Sequence, residues 1–219
     1  MLSVVIPTRN AAATLPATLA ALAGGPDEVV VCDGGSTDGT ARLAASLGAR
    51  VALAPRGRGG QLAAGIAAAR GEWLLLLHAD TCLAPGWAEA CRAFIAAGAA
   101  RAGYFRFVLA SNDARARRLE RAVAWRCRWL ALPYGDQGLL IARGLLDAVG
   151  GMRNLPLMED VDLVRRLGRH RLAPLEAAAV TSAARWERDG WYRRSARNLL
   201  CLLLYFCGVP PRVVARLYS

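Results

Sequence analysis

Lysine is absent from this chain. All 28 basic residues are arginine, set against 17 acidic ones, and the formal net charge is +11. A GC-rich coding bias produces arginine in place of lysine, so the choice by itself names no function. The positive excess favours anionic partners: phosphates, acidic lipid headgroups or nucleic acid. The planar guanidinium fork suits phosphate in particular. Histidine is scarce, with two residues, and none of the six cysteines forms a C-x-x-C pair. That argues against a zinc site and makes a reduced, cytoplasmic compartment the simplest reading. The chain opens directly on a strand-like run, Ser3 to Pro7, rather than on a signal peptide. Its longest apolar run, Leu199 to Val209, falls short of the roughly 20 residues that cross a bilayer. No internal repeat, low-complexity linker, aromatic single-strand platform or zinc finger occurs, so no nucleic-acid partner is expected. After the first strand the sequence reads PTRNAAAT, without glycine, and no Walker A motif is found. Nicotinamide and P-loop readings both lose weight.

The 219 residues suffice for one large domain, or a domain with an extension. A hydrophobic fraction of 55%, much of it alanine, argues against long disorder. Strand-like runs at Ser3–Pro7, Glu28–Asp33, Arg50–Leu53 and Glu72–His78 alternate with alanine-rich helical segments at Thr14–Ala23, Thr37–Leu47 and Gly60–Arg70. This order predicts an α/β fold: a mostly parallel sheet with helices on both faces. Runs such as EVVVCD and WLLLLH are continuously apolar, as strands buried on both faces are. Further on, Gly103–Leu109 and Leu139–Ala142 read as strands. Asp113–Leu132 reads as a helix with Leu119, Val123, Cys127 and Leu130 as its apolar stripe. Asp160–Leu167 starts another helix, which Gly168 stops, and Trp191–Cys207 is a helix ended by Gly208, Pro210 and Pro211.

Ligands of parallel sheets bind at the carboxyl ends of the strands, which singles out Thr8 to Asn10, Asp33 to Ser36 and His78 to Thr81. Two readings of Asp33 stay open. It accepts a hydrogen bond from a base or ribose, with Gly34 and Gly35 letting a ligand approach the backbone, or the three residues simply make a βα turn. His78 and Asp80 alternate to the same side of the fourth strand's end. A carboxylate there suits Mg²⁺ or Mn²⁺, which bridges diphosphate oxygens. Arg56 and Arg58, in the glycine-rich PRGRGGQ stretch, either clamp a diphosphate or form a basic surface loop. Glu159 and Asp160, read by themselves, are acids favoured by a helix N-terminus.

Taken together, VVIPTRN, the CDGGSTDGT turn, the HADT turn, GDQGLLIAR (135–143) and PLMEDVDLVRRL (156–167) resemble family 2 glycosyltransferases. The likeness is nearest to a small bacterial branch whose genes often accompany radical SAM proteins. The resemblance implies a GT-A fold, Rossmann-like, with a mixed, mostly parallel sheet and a helical C-terminal extension. It implies inverting transfer from a nucleotide-diphosphate sugar to an acceptor hydroxyl. Asp33 would contact the base, with Pro7, Thr8, Asn10 and Gly34 around the nucleotide and Arg58 and Arg185 at its phosphates. Asp80 matches the last acid of the family's D-x-D motif and would ligate a divalent metal, Mn²⁺ or Mg²⁺. His78 replaces the first acid, and a neutral imidazole can still ligate or hydrogen-bond. Asp160, paired with Glu159 in an E-D motif, would be the general base that deprotonates the acceptor. Asp136 and Gln137 would shape the sugar pocket. Ser182 stands where processive members carry the glutamine of Q-x-x-R-W, so no processive synthesis is expected.

The implied organisation is a catalytic domain over residues 1–183, with a nucleotide half (1–100) and an acceptor half (101–183), then an extension over 184–219. The competing reading is a non-catalytic nucleotide-binding or membrane-associated scaffold. Arg115, Arg117, Arg118, Arg121, Arg126 and Arg128 interleave with Trp125 and Trp129, and Arg193, Arg194 and Arg197 precede LLCLLLYF. Tryptophan plus arginine suits an anionic membrane surface, which would make the protein peripheral on the cytoplasmic face and admit a lipid-linked acceptor. A solvated basic face with the apolar run in the core or a dimer interface accounts for the pattern more simply. A homodimer stays open, as do the sugar and the acceptor.

Overall fold

A computed structural model describes residues 1–218. One sheet of eight strands runs through it. In chain order these are β1 (Leu2–Thr8), β2 (Glu28–Asp33), β3 (Arg50–Leu53), β4 (Trp73–Leu76), β5 (Thr81–Leu83), β6 (Ala102–Ala110), β7 (Leu139–Ala142) and β8 (Leu172–Ser182). Across the sheet they lie in the order β3-β2-β1-β4-β7-β6-β8-β5. The first four are mutually parallel. β7 pairs antiparallel with β4 and β6, and β8 pairs parallel with β6 and antiparallel with β5. The expected mostly parallel α/β sheet is therefore found.

The connecting helices are α1 (Leu15–Ala21), α2 (Thr40–Ser46), α3 (Arg58–Ala68), α4 (Trp87–Ala96), α5 (Ala114–Leu130), α6 (Arg143–Ala148) and α7 (Glu159–Leu167). Three more, α8 (Ala184–Asp189), α9 (Trp191–Phe206) and α10 (Pro211–Tyr218), follow β8. Alternation along β1 explains its unbroken apolar run. Val4 and Ile6 enter one core cluster with Leu75 and Phe105, while Val5 enters the opposite cluster with Cys32, Leu74 and Leu163. A third cluster joins Phe107 and Leu109 of β6 to Val123 and Cys127 of α5, and to Trp186 and Trp191 of α8 and α9. The C-terminal helices are thus seated on the sheet through two tryptophans.

Several expectations shift. The α5 stripe stops at Cys127: Leu130 is 53% exposed, and Ala131 turns left-handed (φ 52°) to end the helix. Asp113 is its N-cap, accepting from Arg115 N. β8 is an element that hydrophobic periodicity does not announce, and α4 and α10 add two amphipathic helices to the expected set. β8 is alanine-rich and carries Pro174, yet pairs along its length with β6; the proline stands where the register shifts between Tyr104 and Arg106, a bulge that tolerates a missing N–H. Among the described residues no helix is long and apolar enough to cross a membrane. Of the cysteines, four are buried, Cys82 is half-buried and Cys207 is exposed at the end of α9.

Candidate active site

β1 is flanked by β2 on one side and β4 on the other, so the chain moves outward through β2 and β3 and then returns across β1. Such a reversal opens a crevice at the strands' carboxyl ends. Pro7, Thr8 and Asn10 from the end of β1 meet His78, Ala79 and Asp80 from the end of β4, with Arg58 and Arg185 closing a groove of about 310 Å³. The β1 side is fixed by the neighbouring turn: Asn10 N donates to Ser36 Oγ at 2.8 Å and Asn10 Oδ1 accepts from Thr37 N at 2.9 Å. Asn10 holds a left-handed backbone, φ 51°, which asparagine tolerates better than most residues.

Asp33 lies beneath this groove, 3% exposed. Its Oδ2 accepts from Gly35 N (3.1 Å) and Ser36 N (2.8 Å), and its Oδ1 from the hydroxyls of Thr8 (3.3 Å) and Ser36. The turn reading describes this geometry; a base could reach Asp33 only by displacing one of the four donors. Gly34 has a packing role of its own. A Cβ there would come within 2.7 Å of Gln61 Nε2, so its small size makes room for Gln61. The Gln61 amide donates to Thr8 O (2.5 Å) and Cys32 O (2.9 Å), latching α3 onto the ends of β1 and β2.

Asp80 Oδ2 pairs with Arg185 Nη2 at 3.2 Å. The loop that carries it is pinned by Thr18 Oγ1 to Ala79 O (3.0 Å) and Ser182 N to Asp80 O (3.1 Å). Burial holds the His78 pKa well below the usual imidazole range, and the positive charges of Arg58 and Arg185 push it the same way. His78 is therefore a neutral imidazole at physiological pH.

A second cavity of about 110 Å³ shares Arg58, His78, Asp80 and Arg185 with the first groove, and adds Asp136 and Asp160. Asp160 sits in the first turn of α7. Its Oδ2 accepts from Gly135 N at 2.7 Å and its Oδ1 from Val161 N at 2.7 Å, which fixes the carboxylate's direction. Gly135 permits this approach: a Cβ there would lie 2.5 Å from His78 Nε2 and 3.3 Å from Asp160 Oδ2. Asp136 Oδ1 is buried without a hydrogen-bond partner among the described residues. Burial raises the Asp136 pKa to about 6 against the pull of Arg126, and the negative charges of Asp160 and Asp80 add to the rise.

Glu159 lies behind Asp160, 1% exposed, with Arg58 Nε 3.4 Å from its Oε1. Burial lifts its pKa to about 7; Arg58 opposes the shift and Asp160 reinforces it. Burial works against the Arg58 charge, but Glu159 and Asp160 outweigh it, and the guanidinium is held more firmly protonated than usual.

The structure thus gathers Pro7, Thr8, Asn10, Arg58, His78, Asp80, Asp136, Asp160 and Arg185 around two connected cavities. Glu159 supports from behind. Gln137 is a correction: it is 2% exposed, donates through Nε2 to Phe105 O at 3.0 Å and accepts from Tyr134 N at 3.3 Å. Its amide shapes the Gly135–Gln137 turn and is not available to a sugar. Sequence reasoning missed the second cavity's far wall, formed by Tyr134, Trp186, Arg194, Asn198, Leu202 and Tyr218. A signal did exist: Arg194, Asn198 and Leu202 follow at four-residue spacing, and the first two are polar on a helix that turns apolar, which marks one face.

A family model described as Glycosyl transferase family 2 matches residues 3–155. A PGL/p-HBAD biosynthesis glycosyltransferase of Mycobacterium bovis is 41% identical over 93 residues, covering 38% of this chain and 36% of that protein's own length. Among solved structures, Staphylococcus aureus TarS residues 1–349 in complex with UDP superposes with a TM-score of 0.65 at 19% identity, covering 83% of this chain and 60% of that one. Glucosyl-3-phosphoglycerate synthase from Mycobacterium tuberculosis, in complex with Mn²⁺, UDP and glucosyl-3-phosphoglycerate, superposes with a TM-score of 0.60 at 23% identity, covering 96% and 81%. At these identities the superpositions show a shared fold.

Proposed function

The chain belongs to glycosyl transferase family 2, and from that premise we propose that it transfers a sugar, with inversion, from a nucleotide-diphosphate sugar to an acceptor hydroxyl, with Asp160 as the general base. The family match speaks for the family as a whole, and not for the small bacterial branch that the motifs resemble. One observation carries the reading: Asp160 is held by two backbone N–H groups at the edge of a cavity that shares His78, Asp80, Arg58 and Arg185 with the groove between β1 and β4. The donor's nucleotide lies in that groove, along Thr8 and Asn10, and the acceptor enters the second cavity.

In the reaction the acceptor oxygen bonds to the anomeric carbon while the bond from that carbon to the diphosphate oxygen breaks. The leaving nucleoside diphosphate takes the electron pair, and the acceptor proton passes to Asp160. A single displacement of this kind inverts the anomeric centre. Arg58 and Arg185 face the developing diphosphate charge, as preorganised cations do in low-dielectric sites. Glu159 holds Arg58 in place from behind.

Among the described residues no three His, Cys, Asp or Glu side chains gather into a metal cluster. The donor set still fits Mg²⁺ or Mn²⁺, because such ions bind through one or two carboxylates plus substrate phosphates. Asp80 and the unpartnered Asp136 Oδ1, which line the same cavity, would hold the ion. When bound, it supplies positive charge to the departing diphosphate. Glucosyl-3-phosphoglycerate synthase with Mn²⁺ and UDP-glucose makes a uridine diphosphate sugar the first donor to try.

Replacing Asp160 by Asn tests the base. The amide oxygen can still accept from Gly135 N, so donor affinity stays within about threefold while kcat falls by about 10²–10⁴. Donor titration and a coupled release assay, run side by side, read both quantities. Turnover at the wild-type rate removes Asp160 from the mechanism.

A further inference from the structure

Of the thirteen large hydrophobic side chains that stand exposed among the described residues, ten lie on α5, α9 and α10. On α9, Leu199, Leu203 and Phe206 form one stripe, with Leu200 beside it, while Arg194 and Cys201 on the opposite side are buried. On α5, Trp125 and Trp129 are 58% and 57% exposed, one turn apart. The run LLCLLLYF therefore does not vanish into the core.

Charge is sorted in the same way. The three helices carry eleven arginines and one acid, Glu120, within a chain whose whole net charge is +11. Some of these arginines are neutralised locally: Asp189 pairs with Arg194 and Arg197, and Asp113 with Arg115. Arg121, Arg193, Arg212 and Arg216 have no acidic partner within salt-bridge distance among the described residues.

The helices are also tied together. Arg118 Nη1 lies 3.5 Å from Tyr192 OH, joining the outward sides of α5 and α9 near their N-termini. At the other end, Arg165 of α7 covers the Phe206 ring at 4.8 Å, and Arg169 Nη2 donates to Arg128 O at 2.6 Å.

We propose that α5, α9 and α10 form a docking face for an anionic membrane surface. Exposed tryptophan and leucine enter the interface while arginines meet the acidic headgroups. A second copy of the chain is the poorer occupant, because self-pairing of this face sets arginine against arginine. The adjoining flank of α9 carries Asn198 and Leu202, which line the second cavity together with Arg194. Docking therefore brings that cavity within one helix diameter, about 10 Å, of the lipid.

The test uses the full chain, with vesicles of phosphatidylcholine alone and of phosphatidylcholine mixed equally with phosphatidylglycerol. Binding is expected on the mixed vesicles and not on the neutral ones, and it should weaken as salt is raised. The double variant Leu199→Glu, Leu203→Glu should lose at least about tenfold in vesicle affinity, with its melting temperature and nucleotide affinity unchanged. Trp125→Ala, Trp129→Ala is a second, independent probe that should also weaken binding. No preference for anionic vesicles overturns the proposal. So does a concentration-dependent dimer abolished by the same leucine substitutions. Nucleotide titration without vesicles keeps this apart from the transferase reading: intact nucleotide binding with no vesicle binding defeats only the docking face.

Discussion

Glu159 is the most constrained single residue of the site. Both of its carboxylate oxygens are buried without a hydrogen bond, and Arg58 is the neighbouring cation. Its folded pKa, about 7, lies above the ordinary 4.5, so the folded state holds the proton more tightly than the unfolded one. The associated stability is fully present below pH 4.5 and is lost as pH rises towards 7. At about 1.4 kcal/mol per pKa unit this is on the order of 3 kcal/mol. Urea unfolding across that range should show wild-type stability declining with pH, and Glu159→Gln should flatten most of the decline. Asp136, raised to about 6, accounts for part of what remains. An identical slope in the variant would place the proton elsewhere. Gly135 is constrained by space instead of charge: Gly135→Ala drives a methyl against His78 Nε2. A kcat loss of about tenfold or more, with smaller change in nucleotide affinity, is expected from a shift of the order of 1 Å at the reacting centre.

At the scale of elements, the junction of α3 with the first two strands rests on Gln61. Its amide satisfies carbonyls of both β1 and β2 at the point where the groove between β1 and β4 begins. Gln61→Ala removes two buried hydrogen bonds and should cost about 2–4 kcal/mol. It should also weaken nucleotide binding by loosening Thr8. Unchanged stability by denaturant titration would mean that water replaces the amide without loss. Elements that bury both faces announce themselves in sequence, and β1 and β2 fall within a residue of their expected bounds; the edge strand β3 matches its bounds too, through its β-branched and apolar centre. β8 does not, because alanine and proline favour other local structure, and only its pairing with β6 and β5 makes it a strand. The same division runs through the site. Thr8, Asp80 and Asp160 are legible because each stands at the end of a recognisable element. Tyr134, Arg194 and Tyr218 are not, because three segments distant in sequence fold together before they share a wall. Gln137 misleads for a related reason: a polar residue between two conspicuous neighbours can serve the turn alone.

Considered whole, the molecule separates two kinds of surface. The arginines of the groove, Arg58 and Arg185, are tethered to acids within the site. Those on the C-terminal helices mix with exposed apolar side chains. Both halves contribute to one cavity system, so occupancy of the groove should stabilise the entire fold. A nucleoside diphosphate at about 100 times its Kd adds about 2.7 kcal/mol to the native state. For a chain of this size that raises Tm by about 5–10 °C. Calorimetry with uridine diphosphate and Mn²⁺ reads it directly. Failure of every nucleoside diphosphate to move Tm would remove the groove as a nucleotide site.

Cys207 offers a practical opening onto the same architecture. It is the exposed thiol at the end of α9, while Cys32, Cys91, Cys127 and Cys201 are shielded and Cys82 is half-covered. Burial raises the pKa of Cys32 and Cys91 to about 12 and that of Cys82 above its usual value, which slows their reaction with maleimides. A fluorophore would therefore attach first beside Phe206, without any engineered residue. Its colour and quenching would then distinguish water from hydrocarbon at one end of the proposed docking face.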